Sequence, residues 1–458
     1  MDGDTKVPAP DHPAPENSAM ASASSDLPAL PERVDIVVVG GGIIGVSTAY
    51  FLAKKGVSVL LCEKGRIAGE QSSRNWGFVR QQGRAAEEIP LIMESLRTWR
   101  GLDAEIGENT GFHQGGVLYV GDTDARMAYF ADWLELAKQH QLDTRMLSAA
   151  ELSSQFPGAA GRWKGALHTP SDGRAEPSLA APAIARAVSR LGGHVVTGCA
   201  VRGLDLKAGK VAGVITERGR VACGSVVMAG GAWSSLFCGN QDIALPQLQI
   251  QNNVLRTTAA PEITQGAIWA PGVAIRRRQD GGYTVAHGSF SDFHVGPDAL
   301  RWFFSFQKAW QMERAFIRLR FGTRGLQELF TRRHWTMDDP TPMETVRVLD
   351  PKPERARIEE ILANMRQTFP ALRNVQVAES WAGMIDVTPD AIPVISGVDA
   401  IPGFFLATGF SGHGFGIGPG AGRVIAELVT GAPTSVDLKP FRFSRFADGS
   451  ATGYGGSA

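Results

Sequence analysis

The stretch 34–45, VDIVVVGGGIIG, constrains this chain more than any other. A β-branched run without polar alternation is what a strand buried on both faces of a parallel sheet requires. It breaks at Gly40, Gly41 and Gly42, and the apolar spacing from Ile43 and Ile44 onward predicts a helix over 43–55 that Gly56 stops. Three glycines carry separate tasks: Gly40 for the tight turn, Gly42 for backbone approach to a diphosphate, and Gly45 for close packing of helix on strand. A second strand over 57–62 leads to Glu63, 21 residues beyond Gly42, where a carboxylate suits ribose hydroxyls; Lys64 follows it. Strand, glycine turn, helix, strand and acid in this register imply a dinucleotide whose phosphates face a helix N-terminus.

A second glycine-rich turn lies near the other end. The apolar run 403–408 precedes Gly409, Phe410, Ser411, Gly412, His413, Gly414, Phe415 and Gly416, and a helix is predicted over 421–428. Such a turn admits a flat ligand, and helix N–H groups stabilise negative charge on the edge of a reduced flavin. Between the two ends, a strand over 224–228 closes in Ala229 and Gly230, followed by Trp233; a helix over 180–191 and a strand over 194–201, ending at Val201, add a further αβ unit. The fold expected is α/β: a Rossmann-like FAD-binding domain with a parallel central sheet, plus an interleaved α+β substrate domain with a mostly antiparallel sheet.

At 458 residues the chain is long enough for two lobes and a cleft. Lys+Arg and Asp+Glu both total 46, which argues against a nucleic-acid partner and for a small one. Residues 1–32 read as a disordered leader rich in Pro, Ala and Ser, without the basic start and apolar stretch of a secretory signal, so a cytoplasmic location is expected. No membrane span is predicted, and Cys62, Cys199, Cys223 and Cys238 lack metal-site spacing and read as core thiols.

The segments VVVGGGIIGVSTAYFLAKKGVSVLLCEK, VVMAGGAWSS, ESWAGMIDVTPDAIPVISG and LATGFSGHGFGIGPGAGRVIAEL, in this order, resemble the D-amino-acid oxidase superfamily of flavoproteins, which includes D-amino-acid dehydrogenases, glycine oxidase and sarcosine oxidases. The resemblance spans roughly 33–440. It implies a discontinuous FAD domain at 33–90, 165–240 and 378–436, a substrate domain at 91–164 and 241–377, and a tail at 437–458. It maps FAD contacts onto Gly40, Gly42, Gly45, Glu63, Ser72, Ser73, Ala229, Gly230 and the turn 412–416, with Ile43, Ile44, Lys64, Val201, Trp233 and Gly383 alongside, and it needs no metal. In D-amino-acid and glycine oxidases an arginine after the tryptophan–glycine pair binds the substrate carboxylate. Here the run is Trp381, Ala382, Gly383, Met384, Ile385, Asp386, without that arginine. The wording is closer to the sarcosine oxidase β-subunit and dimethylglycine dehydrogenase branch, which favours N-substituted amino acids.

The reaction so implied is oxidation of a C–N bond (EC 1.4 or 1.5 type): a hydride leaves the α-carbon for flavin N5, the imine hydrolyses, and oxygen or a quinone takes the electrons. It asks for a cation to anchor a carboxylate. Arg80 is one candidate. Arg276, Arg277 and Arg278, in a hairpin turning at 279–282, are others; alternation puts Arg276 and Arg278 on one face and Arg277 on the opposite one. Tyr283 and His287 on the return strand are weaker substrate candidates, and His413 is the candidate for charge stabilisation or proton movement. Absence of any cysteine beyond Cys238 argues against a cysteinyl-flavin bond. The segment 300–333 interleaves arginines with aromatics and suits packing, homo- or hetero-oligomer formation, or peripheral contact with the inner face of a membrane. The alternative functions are a flavin monooxygenase, which needs NAD(P)H, or a flavin-retaining subunit of a heteromeric amine or opine oxidase complex.

Overall fold

The computed structural model describes residues 29–159 and 163–450; most of the predicted leader, and 451–458 of the tail, lie outside them. A six-stranded sheet forms the first layer. Its strands run in the spatial order Val394–Gly397, Phe404–Thr408, Ser225–Met228, Ile36–Val39, Val59–Cys62, His194–Val196. All pair in parallel except the edge strand Val394–Gly397. Ile36–Val39 is buried along its whole length, as its unbroken β-branched sequence requires. Three helices cover one face: Ile43–Lys54, Pro177–Arg190 and Gly414–Val429, with Ile89–Ile106 packed outside the last.

The second layer is a ten-stranded sheet, antiparallel except where Ala267–Ala270 meets Val117–Gly121 and where Ser291–His294 meets Ile317–Arg320. Its centre is the long pair Leu248–Thr257 and Val377–Val387. Sheet membership puts Gly165–Thr169 and Val377–Val387 in this second sheet.

Two predicted elements differ. The strand expected over 194–201 is two strands, His194–Val196 and Val201–Lys207, because the chain turns through Gly198 at φ +58° into a separate three-stranded antiparallel sheet. The C-terminal helix starts at Gly414, not near 421. Glycine weakens a helix in isolation, but here its lack of a side chain is what the packing demands. A Cβ on Gly422 would lie 2.4 Å from Ser47 Cβ, and one on Gly418 2.6 Å from Ile43 Cγ1, so these positions let the helix rest directly on Ile43–Lys54.

Candidate active site

Four parallel strands of the first sheet, Phe404–Thr408, Ser225–Met228, Ile36–Val39 and Val59–Cys62, deliver their carboxyl ends to one cleft. That edge is where open α/β sheets bind ligands. From the outermost of these strands to the far one is three inter-strand steps, about 14 Å. Gly40 and Gly42 line one end of the cleft and Gly412, Gly414 and Gly416 the other.

At the first end, Gly40 adopts φ +111°, and a Cβ there would stand 2.4 Å from the Ala229 carbonyl oxygen. Gly42 caps the helix Ile43–Lys54 without a side-chain hydrogen bond of its own, so first-turn N–H groups other than that of Ile43 are left for an anion. The Ile43 N–H donates to Ser72 Oγ at 2.8 Å. Glu63 accepts from the Gly41 N–H at 2.6 Å and from the Gly65 N–H at 2.7 Å. Burial raises its pKa, and the two N–H groups work against that rise. Lys64 pairs with Glu70 at 2.6 Å and lies over the Trp233 ring, 4.5 Å from its centroid. Ile43, Ile44, Val201, Ala229, Gly230, Trp233 and Gly383 all line the cleft. Gly45 and Ser73 do not. Gly45 acts behind the wall, where a Cβ would meet the Gly40 carbonyl oxygen at 1.9 Å, and Ser73 Oγ donates to the Glu70 carbonyl oxygen at 3.3 Å. This is a cradle without side chains, closed by an acid and faced by a helix N-terminus, and it fits a dinucleotide.

At the second end, Phe415 lines the cleft and His413 stands as N-cap residue of Gly414–Val429. His413 Nδ1 is 3.0 Å from Glu88 Oε2, and both side chains are buried. Burial lowers the imidazole pKa to about 4, against the opposing pull of Glu88. Burial alone would raise the Glu88 pKa, but His413 and Arg84 outweigh it and hold the carboxyl below its usual range. A charged Glu88 beside a neutral imidazole takes the proton on Nδ1 and leaves Nε2 an acceptor. Arg84 donates to the His413 carbonyl oxygen at 3.3 Å; its buried Nη1 has no hydrogen-bond partner among the described residues, with Glu88 Oε1 3.9 Å away. No sequence signal pointed to Glu88, in the 3-10 turn Ala86–Glu88 that leads into Ile89–Ile106, or to Arg84 in the loop before it. Asp386 was equally silent: it is buried, accepts from the Gly409 N–H at 2.8 Å and from Gln247 at 2.9 Å, and so fixes the turn before His413.

The cation candidates separate. Arg80 lines the cleft, with its guanidinium carbon 5.4 Å from the Tyr119 ring centroid and 5.6 Å from that of Trp269. Arg276 does not reach the cleft. It is fully buried in a two-pronged pair with Glu176, at 2.9 and 3.2 Å, and donates to the Trp76 carbonyl oxygen at 2.6 Å. Arg277 donates to the carbonyls of Ala260 and Gly281 and lies over the Tyr283 ring; the Tyr283 hydroxyl donates to the Pro261 carbonyl and accepts from the Ile263 N–H. These three are occupied in holding the hairpin. His287 lines a second cavity, where burial lowers its pKa and Glu360 Oε1 lies 3.4 Å from Nε2.

The model of the D-amino-acid oxidase family, FAD dependent oxidoreductase, matches residues 35–428. The chain belongs to this family. It is an FAD-dependent oxidoreductase acting on the C–N bond of amino acids or amines, and its substrate is a small molecule. It is 27% identical to the sarcosine oxidase subunit beta of Arthrobacter sp over 91% of each chain. Its identity to human mitochondrial sarcosine dehydrogenase is 25%, over 91% of this chain but only 42% of that protein's length. Among solved structures, the L-amino acid deaminase of Proteus myxofaciens in complex with anthranilate superposes with a TM-score of 0.88 at 30% identity, covering 92% of this chain and 95% of that one. Among the described residues no helix is long and apolar enough to cross a membrane.

Proposed function

We propose that the cleft binds FAD extended between its two glycine turns and, beside the second turn, an amino acid or N-substituted amine whose carboxylate rests on Arg80. FAD supplies the two-electron acceptor for converting the C–N bond to an imine, which water then hydrolyses to the oxo product. The first turn of Ile43–Lys54 holds the diphosphate, Glu63 accepts from ribose hydroxyls, and Lys64 and Val201 flank the adenosine. Ala229, Gly230 and Trp233 border the middle of the cofactor, with 412–416 against its ring. The N-terminus of Gly414–Val429 stabilises charge there. Arg80 is kept in one orientation by the rings of Tyr119 and Trp269, which suits it to a carboxylate. The deaminase neighbour was solved with anthranilate, itself a carboxylate. His413, neutral and with its Nδ1 held by Glu88, offers Nε2 to accept a hydrogen bond from the substrate amine.

One observation carries this reading: a single cavity is lined by both glycine turns and by Arg80. The test is anaerobic titration of the purified yellow protein with sarcosine, proline derivatives, D- and L-amino acids and opines. Bleaching of the flavin by at least one of them is expected. Bleaching by NADPH and by no amine would replace this reading with a monooxygenase.

The four cysteines are free and buried, which suits a reducing cytoplasm. Exposed large apolar side chains concentrate on 300–330, among them Phe304 at 85% and Phe330 at 86%, beside several arginines. That a relative is a beta subunit supports a protein partner, and the exposed apolar side chains favour this face for it. Light scattering that reports a monomer at all concentrations, with binding to anionic vesicles, would favour a membrane surface instead.

A further inference from the structure

The second cavity opens beside the flavin-ring end of the cleft. The two share Trp76, Trp269, Ile250, Asn252 and Ser411 in their walls, so they meet at a throat adjoining the 412–416 turn. Trp76 and Trp269 meet edge to face there, with centroids 4.9 Å apart. Beyond the throat the cavity measures about 640 Å³. That is room for roughly twenty waters, far more than a glycine-sized substrate fills.

The lining is aromatic. Phe290 and Phe293 enter from around Ser291–His294, and Phe303, Phe306, Trp310 and Phe316 from the segment that follows; Phe303 and Trp310 also face solvent, at 57% and 40% exposure, so the cavity is open on that side. Arg126 and Glu313 are the fully charged side chains on its wall. Glu313 makes its own interactions within the protein. Away from Arg126 and Glu313 these rings offer a charged substituent no partner, whereas an apolar ring would exchange water for aromatic contact. The polar groups sit at the throat, where Asn252 and Ser291 lie between the ring chamber and the cleft.

We infer that this chamber is a specificity compartment for a bulky, uncharged apolar substituent of the substrate, aromatic by preference, placed there while the reacting amine stays in the cleft. The inference rests on the reading of the cleft given above and narrows it: the substrate is an amino acid or amine with a large apolar side group, not glycine or sarcosine.

Two measurements on the FAD-loaded protein test it. In the first, 3-phenylpropionate and acetate are titrated separately and followed by flavin absorbance and tryptophan fluorescence. Burial of the ring is expected to make 3-phenylpropionate bind at least about 30-fold more tightly, and equal affinities would overturn the inference. In the second, L- and D-phenylalanine are compared with glycine and sarcosine as anaerobic reductants. One phenylalanine enantiomer is expected to exceed both small substrates in kcat/KM by a similar factor. Ala309→Trp, on the helix Gln307–Glu313 that walls the chamber, is expected to abolish most of both preferences while FAD content and acetate affinity stay unchanged. Preference for glycine or sarcosine overturns the chamber and leaves amine oxidation standing. If no amine or amino acid bleaches the flavin and neither carboxylate perturbs it, the reading of the cleft falls and the chamber with it.

Discussion

Arg80 and Arg276 are both buried arginines, yet their surroundings predict opposite consequences of removal. Arg276 neutralises Glu176 and ties the hairpin to the loop at Trp76. Arg276→Ala strips the buried Glu176 carboxylate of its two-pronged partner and leaves only the cations Arg174 and Arg278 beside it, each at 3.9 Å, so a loss of about 3 kcal/mol of stability is expected, read as a lower urea midpoint. Arg80→Ala is expected to leave FAD content intact and to lower kcat/KM for an amino acid by about 10–100-fold, the loss of a charge-assisted hydrogen-bond pair. The corresponding decarboxylated amine should feel little change, and an equal loss on both would remove Arg80 from the carboxylate site. His413 makes a pH prediction. Its folded pKa of about 4 lies below the ordinary 6.5, so between these values the unfolded chain binds a proton that the folded chain refuses. Stability therefore falls as pH drops from about 6.5 to about 4, by at most about 1.4 kcal/mol per pH unit. Asp172, raised by burial to about 6, works in the opposite direction through part of this window, but equally in wild type and variant. The difference between wild type and His413→Asn reports the histidine together with the Glu88 carboxyl that it holds down, and parallel stability profiles would refute its assignment as a buried neutral group. The cradle residues were legible in the sequence because their spacing is local. Arg276 was not separable from Arg80 by sequence, because its partner Glu176 is 100 residues away and only the fold brings it there.

At the scale of elements, the strand–turn–helix at 36–54 emerges as its sequence predicts, since burial, glycine placement and propensity agree. The C-terminal helix shows where such agreement ends. Its glycines read as loop by propensity, but they form the face on which Ile43–Lys54 and Ile89–Ile106 pack: a Cβ on Gly420 would stand 2.7 Å from the Ser95 nitrogen, as one on Gly422 would crowd Ser47. Sequence periodicity records apolar stripes, not the absence of side chains that lets two backbones touch. Gly422→Val is accordingly expected to destabilise the protein by about 3 kcal/mol or more through overpacking, despite valine's better helix propensity. A variant as stable as wild type, by urea titration, would mean the two helices are not held in contact. The Gly40→Ala change acts on the turn instead, combining a left-handed φ with a 2.4 Å clash, and should lower the FAD content of the purified protein.

For the whole molecule, the placement of the two glycine turns on strands two steps apart in one sheet means that a bound dinucleotide spans the sheet rather than decorating one strand. The second sheet contributes the opposite wall through Ile250, Asn252 and Trp269, so substrate groups arrive from a layer that nothing in the nucleotide motifs describes. That layer was foreseeable only as a class, because its register depends on pairings such as Leu248–Thr257 with Val377–Val387, more than a hundred residues apart. A ligand that engages only part of this span should order only part of it. ADP carries the diphosphate and adenosine but no ring, so it should slow amide exchange at 40–45 and 63–64 and leave 412–416 unchanged. FAD should protect both stretches, and at a hundred times its Kd add about 2.7 kcal/mol of stability to the apoprotein. Equal protection of both turns by ADP would show that the nucleotide end alone organises the cleft, and the 412–416 turn would then lose its place against the flavin ring.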